Sequence, residues 1–199
     1  MKTNQMNYDD FTMELLEKAE SAKLSGDFEG AIKILQKVIL SNHECFEAFE
    51  EMGDNYMSLR ELKKAKKALD RATKIQPKSA NAHYLLGFLY SLDQKWKDSI
   101  KELQQADELF PNHPEILRCL GWSFYNENRK AQGIAVLERS KNLSPTDANI
   151  LCDLGVCYMN SAAFQKAKES FEQVLKVDPN SDQAKESLEF LKILRAGEK

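Results

Sequence analysis

The side chains in this chain that could do chemistry are four cysteines, three histidines and an ample supply of carboxylates. Cys45, Cys119, Cys152 and Cys157 show no Cys-x-x-Cys spacing and no regular framework, so they read as buried free thiols of a reducing compartment. His43, His83 and His113 lie far apart, and no His–Cys cluster has zinc-ligand spacing. No glycine-rich loop is built to cradle a phosphate. Carboxylates abound, but on helical faces where charge serves solvation. No nucleophile, base and orienting group converge. The chain is therefore read as non-catalytic, without metal or cofactor, and the question becomes what it binds.

The elements that would position a binding surface announce themselves by period. Gly53, Gly87, Gly121 and Gly155 are spaced by 34 residues, and Ala19 holds the same place one period earlier. Met52, Leu86, Leu120 and Leu154 come just before them, and Tyr56, Tyr90, Phe124 and Tyr158 follow three residues later. Ala31, Ala65, Ser99, Gly133 and Ala167 form a second row of small residues, trailed by Leu35, Leu69, Leu103, Leu137 and Phe171. Pro77, Pro111, Pro145 and Pro179 end four of the periods, where the missing N–H stops a helix. Small residues in both rows are what two helices need where their backbones cross closely. Ser79, Asp147 and Ser181 suit N-caps, and Pro114 suits a first helical turn.

This pattern resembles the tetratricopeptide repeat, a helix–turn–helix unit of 34 residues, over 170 of the 199 residues. The resemblance implies an all-α fold, a right-handed superhelical solenoid of five units at 12–45, 46–79, 80–113, 114–147 and 148–181. Residues 1–11 form an N-terminal extension, with 1–8 expected to be disordered and Tyr8 and Phe11 available to fold back on the first unit. Residues 182–195 form a capping helix with Ala184, Leu188, Leu191 and Leu194 inward and Asp182, Lys185, Glu186 and Glu189 outward. Residues 196–199 are a frayed tail. Gly133 costs a helix roughly 1 kcal/mol against Ala, which marks the fourth unit as the softest. His83 stands where neighbouring units carry Phe49, Leu117 and Leu151, so it reads as a packed, partly buried histidine.

Composition sets outer limits. The net charge is −3, against bulk affinity for nucleic acid. No run approaches the ~20 apolar residues of a membrane span. The start of the chain is polar, with no secretory signal pattern, and the expected location is cytoplasmic.

In the family it resembles, the first helix of each unit lines a concave groove that takes a partner. Projected onto that scheme, the groove grades from acidic to aromatic to amide-rich. Glu47, Glu50, Glu51 and Asp54 stand at one end, Asn81, Tyr84, Leu85, Phe88, Arg118, Trp122, Tyr125 and Asn126 in the middle, and Asn149, Asp153 and Asn160 at the other. The implied ligand is a peptide or helix of a partner protein with basic and apolar residues. The places where chaperone-binding members hold a cationic carboxylate clamp carry Leu16, Glu20, Glu51, Asn81 and Leu85 here, so an acidic chaperone tail is disfavoured. The expected function is an adaptor or assembly scaffold. The alternatives are a chaperone-like holder of a client and a self-assembling scaffold, so a homo-oligomer stays open. Lys63, Lys64, Lys66, Lys67, Arg71 and Lys74 crowd one second helix against only Glu61 and Asp70, and read first as a solvated helix back.

Overall fold

The computed structural model describes residues 8–197, and side chains through residue 193. Within them every regular element is an α-helix: α1 (Asp10–Leu24), α2 (Phe28–Ser41), α3 (Phe46–Ser58), α4 (Leu62–Ile75), α5 (Ala80–Leu92), α6 (Trp96–Leu109), α7 (Pro114–Asn126), α8 (Lys130–Leu143), α9 (Ala148–Asn160), α10 (Phe164–Val177) and α11 (Asp182–Gly197). The second helices start at 28, 62, 96, 130 and 164, and the first helices from α3 onward at 46, 80, 114, 148 and 182, so both series keep a step of 34.

Each turn from a first helix to a second closes in the same way. Gly26, Arg60, Gln94, Asn128 and Ala162 all take positive φ, from 56° to 83°. In the first turn Gly26 N–H donates to the Lys23 carbonyl and Asp27 N–H to the Ala22 carbonyl, both at 2.9 Å. The pairs Arg60–Met57 and Glu61–Tyr56, and Asn128–Tyr125 and Arg129–Phe124, repeat that geometry. This is a helix C-terminus capped through one left-handed residue. Only the first turn uses glycine; the other four accept the cost of a side chain there.

The first-helix N-termini follow the capping residues read from sequence. Ser79 Oγ accepts from Ala82 N–H, Asp147 Oδ1 from Asn149 and Ile150 N–H, and Ser181 Oγ from Ala184 N–H. Pro114 opens α7. The helices α4, α6, α8 and α10 each end two residues before a proline.

The chain divides into two compact halves, Met1–Asp93 with α1–α5 and Gln94–Lys199 with α6–α11. In the first half, α1 packs on α2, α2 and α4 both pack on α3, and α5 packs on α3 and α4. Leu15, Ala19, Leu35, Val38, Cys45 and Ala48 form one buried cluster, and Met57, Ala65, Leu69, Leu85, Leu86 and Leu89 another. Tyr8 packs on the first of these clusters, and its hydroxyl donates to Glu47. Phe11 stays largely exposed. Residues 1–7 lie outside the described residues.

In the second half the chain runs α6 to α11 with each helix packed on the next, and its core is built from Leu137, Ile150, Leu151, Leu154, Phe171 and Val174. Two serines replace apolar residues here and are satisfied: Ser99 Oγ bonds Ser123 Oγ at 2.8 Å, and Ser140 Oγ donates to the Pro114 carbonyl at 2.7 Å. The crossing of α7 on α8 is close on both sides. A Cβ on Gly121 would stand 2.8 Å from Leu137 Cγ and 2.9 Å from the Gly133 carbonyl oxygen. A Cβ on Gly133 would stand 2.6 Å from both the Gly121 carbonyl oxygen and the Tyr125 backbone nitrogen.

The helix α11 continues to Gly197 and buries Ala184 and Leu191 against the α9–α10 core, with Leu188 half-buried. Asp182, Lys185, Glu186 and Glu189 face solvent, but so do Phe190 and Ile193. The side chain of Leu194 and residues 198–199 lie outside the described residues.

Helix propensity alone says that Gly133→Ala should stabilise by roughly 1 kcal/mol. The crossing geometry reverses the sign: the new methyl meets backbone atoms that cannot rotate away, so the cost is ~1–3 kcal/mol. Thermal denaturation measures it, and a raised melting temperature would show that α7 and α8 part freely. Deletion of residues 182–199 should bare apolar side chains of α10 and lower both melting temperature and solubility, because an end repeat needs a covered face. A truncated chain that stays monomeric and equally stable would make α11 an appendage.

Candidate partner-binding faces

The acidic residues of the first half are engaged with their own neighbours. Glu50 is buried, at 4 % exposure, on α3. It accepts from Ser79 Oγ and, at 2.8 Å, from Asn81 Nδ2, which ties α3 to the start of α5. Burial raises the Glu50 pKa, and the two hydrogen bonds offset this only in part. Glu51 and Asp54 both reach Lys23 of α1, the Glu51 contact at 3.0 Å. Burial works against the Lys23 charge, but the bonds to Asp54 and Glu51 outweigh it and raise its pKa. Glu47 accepts from Tyr8. The role of Lys23 and the Tyr8 bond to Glu47 are not visible in the sequence, because the partners sit 28 to 39 residues away. The reading of these carboxylates as a free acidic surface is therefore corrected for Glu50, which solvent and ligand do not reach.

The aromatic face of the first half is on α5. Asn81, Tyr84 and Phe88 fall at i, i+3 and i+7 on one side of the helix. The Tyr84 and Phe88 rings are half-buried and stacked, with centroids 6.3 Å apart and planes 13° apart. Leu85 is not part of that surface; it is buried in the core with Leu86 and Leu89.

In the second half, the first-helix face is made by α7 and α9. Arg118 joins the two helices: Nη1 donates to Asp153 Oδ2 at 2.7 Å, and Nε and Nη2 donate to the Glu115 carboxylate at 2.7 and 2.6 Å. Burial opposes the Arg118 charge, but these partners more than compensate and hold its pKa above the ordinary value. Trp122, Cys152, Val156 and Met159 are half-buried on this face and pack on the core beneath it. Asn126, Asn149 and Asn160 are exposed around them. Asn126 Nδ2 donates to the Trp122 carbonyl at 2.8 Å. Tyr125 differs from the sequence expectation. It is 6 % exposed, its hydroxyl lies 3.1 Å from both the Cys157 carbonyl and Ser161 Oγ, and the Lys130 ammonium stands over its ring. It is a packing residue, not an anchor within a partner's reach.

The thiols are chemically quiet. All four cysteines are free. Burial pushes the Cys157 thiol up to about 12 and the Cys119 thiol higher still, so neither supplies a thiolate at neutral pH. Among the described residues no group of three or more His, Cys, Asp or Glu side chains could hold a metal ion, and no helix is long and apolar enough to cross a membrane. His83 is half-buried, with Nε2 3.1 Å from the Pro77 carbonyl oxygen.

The buried carboxylate gives a pH test. A carboxyl whose folded pKa is raised binds its proton more readily in the folded than in the unfolded state, so it adds stability as pH falls through that raised value. Glu50→Gln should therefore be at least as stable as the parent at pH ~7, and the gap between them should narrow as pH is lowered toward the ordinary Glu range of ~4.3. Melting curves of both proteins across that range decide it; a gap that widens on acidification would mean that Glu50 is held ionised.

Comparison with known proteins agrees with this geometry. A TPR repeat family model matches residues 53–94, and a tetratricopeptide repeat model matches residues 148–181. A search of curated protein sequences returns no match. Among solved structures, MamA from residue 41 onward of Desulfovibrio magneticus RS-1 superposes with a TM-score of 0.73 at 18% identity, over 87% of this chain and 98% of that one. The Thermus thermophilus protein TTC0263, a thermophilic TPR protein, gives 0.78 at 13% identity, over 92% and 99%. YrrB, described as a TPR protein with an unusual peptide-binding site, gives 0.67 at 20% identity, over 88% and 91%. At these identities the likeness is one of fold. The two matched repeats and the recurring helix starts support a tetratricopeptide repeat protein, and these structures share its fold.

Proposed function

We propose that this protein is a non-catalytic interaction module, an adaptor or assembly scaffold that holds a peptide or helix of a partner protein on its first-helix faces. The observation that carries the reading is the face of α7 and α9, where half-buried Trp122, Val156 and Met159 form an apolar floor within a rim of exposed Asn126, Asn149 and Asn160. An apolar centre within a polar rim is the usual anatomy of a protein interface. Each rim amide offers both a donor and an acceptor, which suits a ligand backbone. In the first half, the stacked Tyr84 and Phe88 supply an aromatic surface on α5. The peptide-binding description of YrrB supports the same use of the fold.

The charge preference assigned from sequence changes with this structure. Lys23 takes up Glu51 and Asp54, and Glu50 is inaccessible, so basic residues in the ligand are secondary to apolar anchors. Trp122→Ala should lower partner affinity by ~2 kcal/mol or more, about 30-fold, while the helical spectrum persists. Tyr84→Ala tests the α5 surface in the same way. The partner is recovered by affinity purification from the native source and then titrated, purified, against each variant. Unchanged affinity in both variants would move the site off these faces. Suppressed aggregation of unrelated unfolded clients would identify a holder, and concentration-dependent growth on size exclusion a self-assembling scaffold.

A further inference from the structure

We infer that the outward faces of α2 and α4 form a docking surface for an anionic lipid layer. Lys63, Lys67, Arg71 and Lys74 follow one another by four, four and three residues, so they lie along one side of α4 for about 16 Å. All four are exposed. None has an ion-pair partner among the described residues; Glu61 and Asp70 are taken by Lys64 and Lys66 instead. Ala65, Ala68, Leu69 and Ala72 take up the opposite, buried side.

The stripe continues on α2. Lys33 and Lys37 occupy the places of Lys67 and Arg71 one period earlier, and both are exposed. Both helices pack on α3, with Ala31, Leu35 and Val38 of α2 buried, so their backs stay outside. One acid, Glu29, shares the α2 back. The pattern does not extend into the second half: the equivalent residues there are Lys101 and Gln105 on α6, then Ala135 and Arg139 on α8. Arg139 is spent on Asn112, at 2.5 Å, and Asp107.

Leu40 selects the kind of anionic partner. It lies on the same side of α2 as Lys33 and Lys37 and is 87 % exposed. An apolar side chain flanked by cations gains by entering the boundary beneath lipid headgroups, and gains nothing against a phosphodiester backbone. Clusters of Lys and Arg on an amphipathic helix are attracted to anionic headgroups, each contributing about fivefold in partition. Docked this way, the first half would keep α5 with Tyr84 and Phe88 on a different surface.

The test is co-sedimentation of the full chain with vesicles of phosphatidylcholine alone and with roughly one-third phosphatidylserine. The chain should bind the acidic vesicles only, and binding should fall as salt rises from about 0.05 M to about 0.5 M. Joint substitution of Lys63, Lys67, Arg71 and Lys74 by Gln should reduce binding by about two orders of magnitude or more. The same loss of charge at Lys97, Lys101, Lys176 and Lys185 should reduce it far less. Leu40→Ser should remove the part of binding that resists salt. Circular dichroism confirms that each variant is folded, and Trp122→Ala should bind vesicles normally, which separates this surface from the partner face. No binding to acidic vesicles, equal loss in both lysine sets, or no effect of Leu40→Ser overturns the proposal. Stripe-dependent binding to duplex DNA or RNA without vesicle binding would overturn it too and assign the surface to nucleic acid.

Discussion

The close crossing of paired helices within each half is the constraint on which the remaining packing rests. A side chain between them would hold the backbones apart and misplace the leucine or phenylalanine that fills the space behind. The chain meets this demand with Ala19 opposite α2, Gly53 against Leu69, Gly155 against Phe171, and glycine on both sides at Gly121 and Gly133. The double glycine is an intensified form of the same solution. There the carbonyl of one helix lies against the backbone of the other, and the helix-propensity penalty of Gly133 is the cost of that approach.

The polar inventory is divided by the same geometry. Residues that point along the first helices find partners on the next first helix, one period away: Glu51 and Asp54 with Lys23, Glu50 with Asn81, Arg118 with Asp153. These contacts fix one first helix against the next. They also withdraw charge from the surface a ligand would see, and leave amides and aromatic edges as its recognisable features. The backs of α2 and α4 have no such neighbours, so their charges stay available to the outside.

Most of the fold was legible because the signal recurs: small residue, aromatic and proline at a fixed spacing point to helices and to where they stop. The left-handed turn residue was overlooked because only Gly26 and Asn128 carry a recognisable signature, while Arg60, Gln94 and Ala162 adopt the same conformation under tertiary pressure. Gly26 and Asn128, three periods apart, were the available clue. The binding faces were less legible. Helical phase puts Leu85 about 100° from Tyr84 and Tyr125 about 60° from Trp122 on a wheel, and burial of Leu85 and Tyr125 depends on how far each helix is rotated against its neighbour. Single-chain periodicity does not resolve a rotation of one residue's width. The engagement of Glu50 was hidden for a related reason, since its partners are near it only after stacking.

The recurring left-handed turns at 26, 60, 94, 128 and 162 also bear on how the chain comes into being. Within the two halves, those at 26, 60, 128 and 162 each close a helical hairpin from residues that leave the ribosome together. At about 5–20 residues per second, a complete hairpin emerges roughly every 2–7 s, far longer than helices and short loops need to form. Within each half the next hairpin can then be received by one already in place. The ordering of the fold is in this sense written as a schedule along the polypeptide, in which the apolar side chains of α10 wait only for the synthesis of α11.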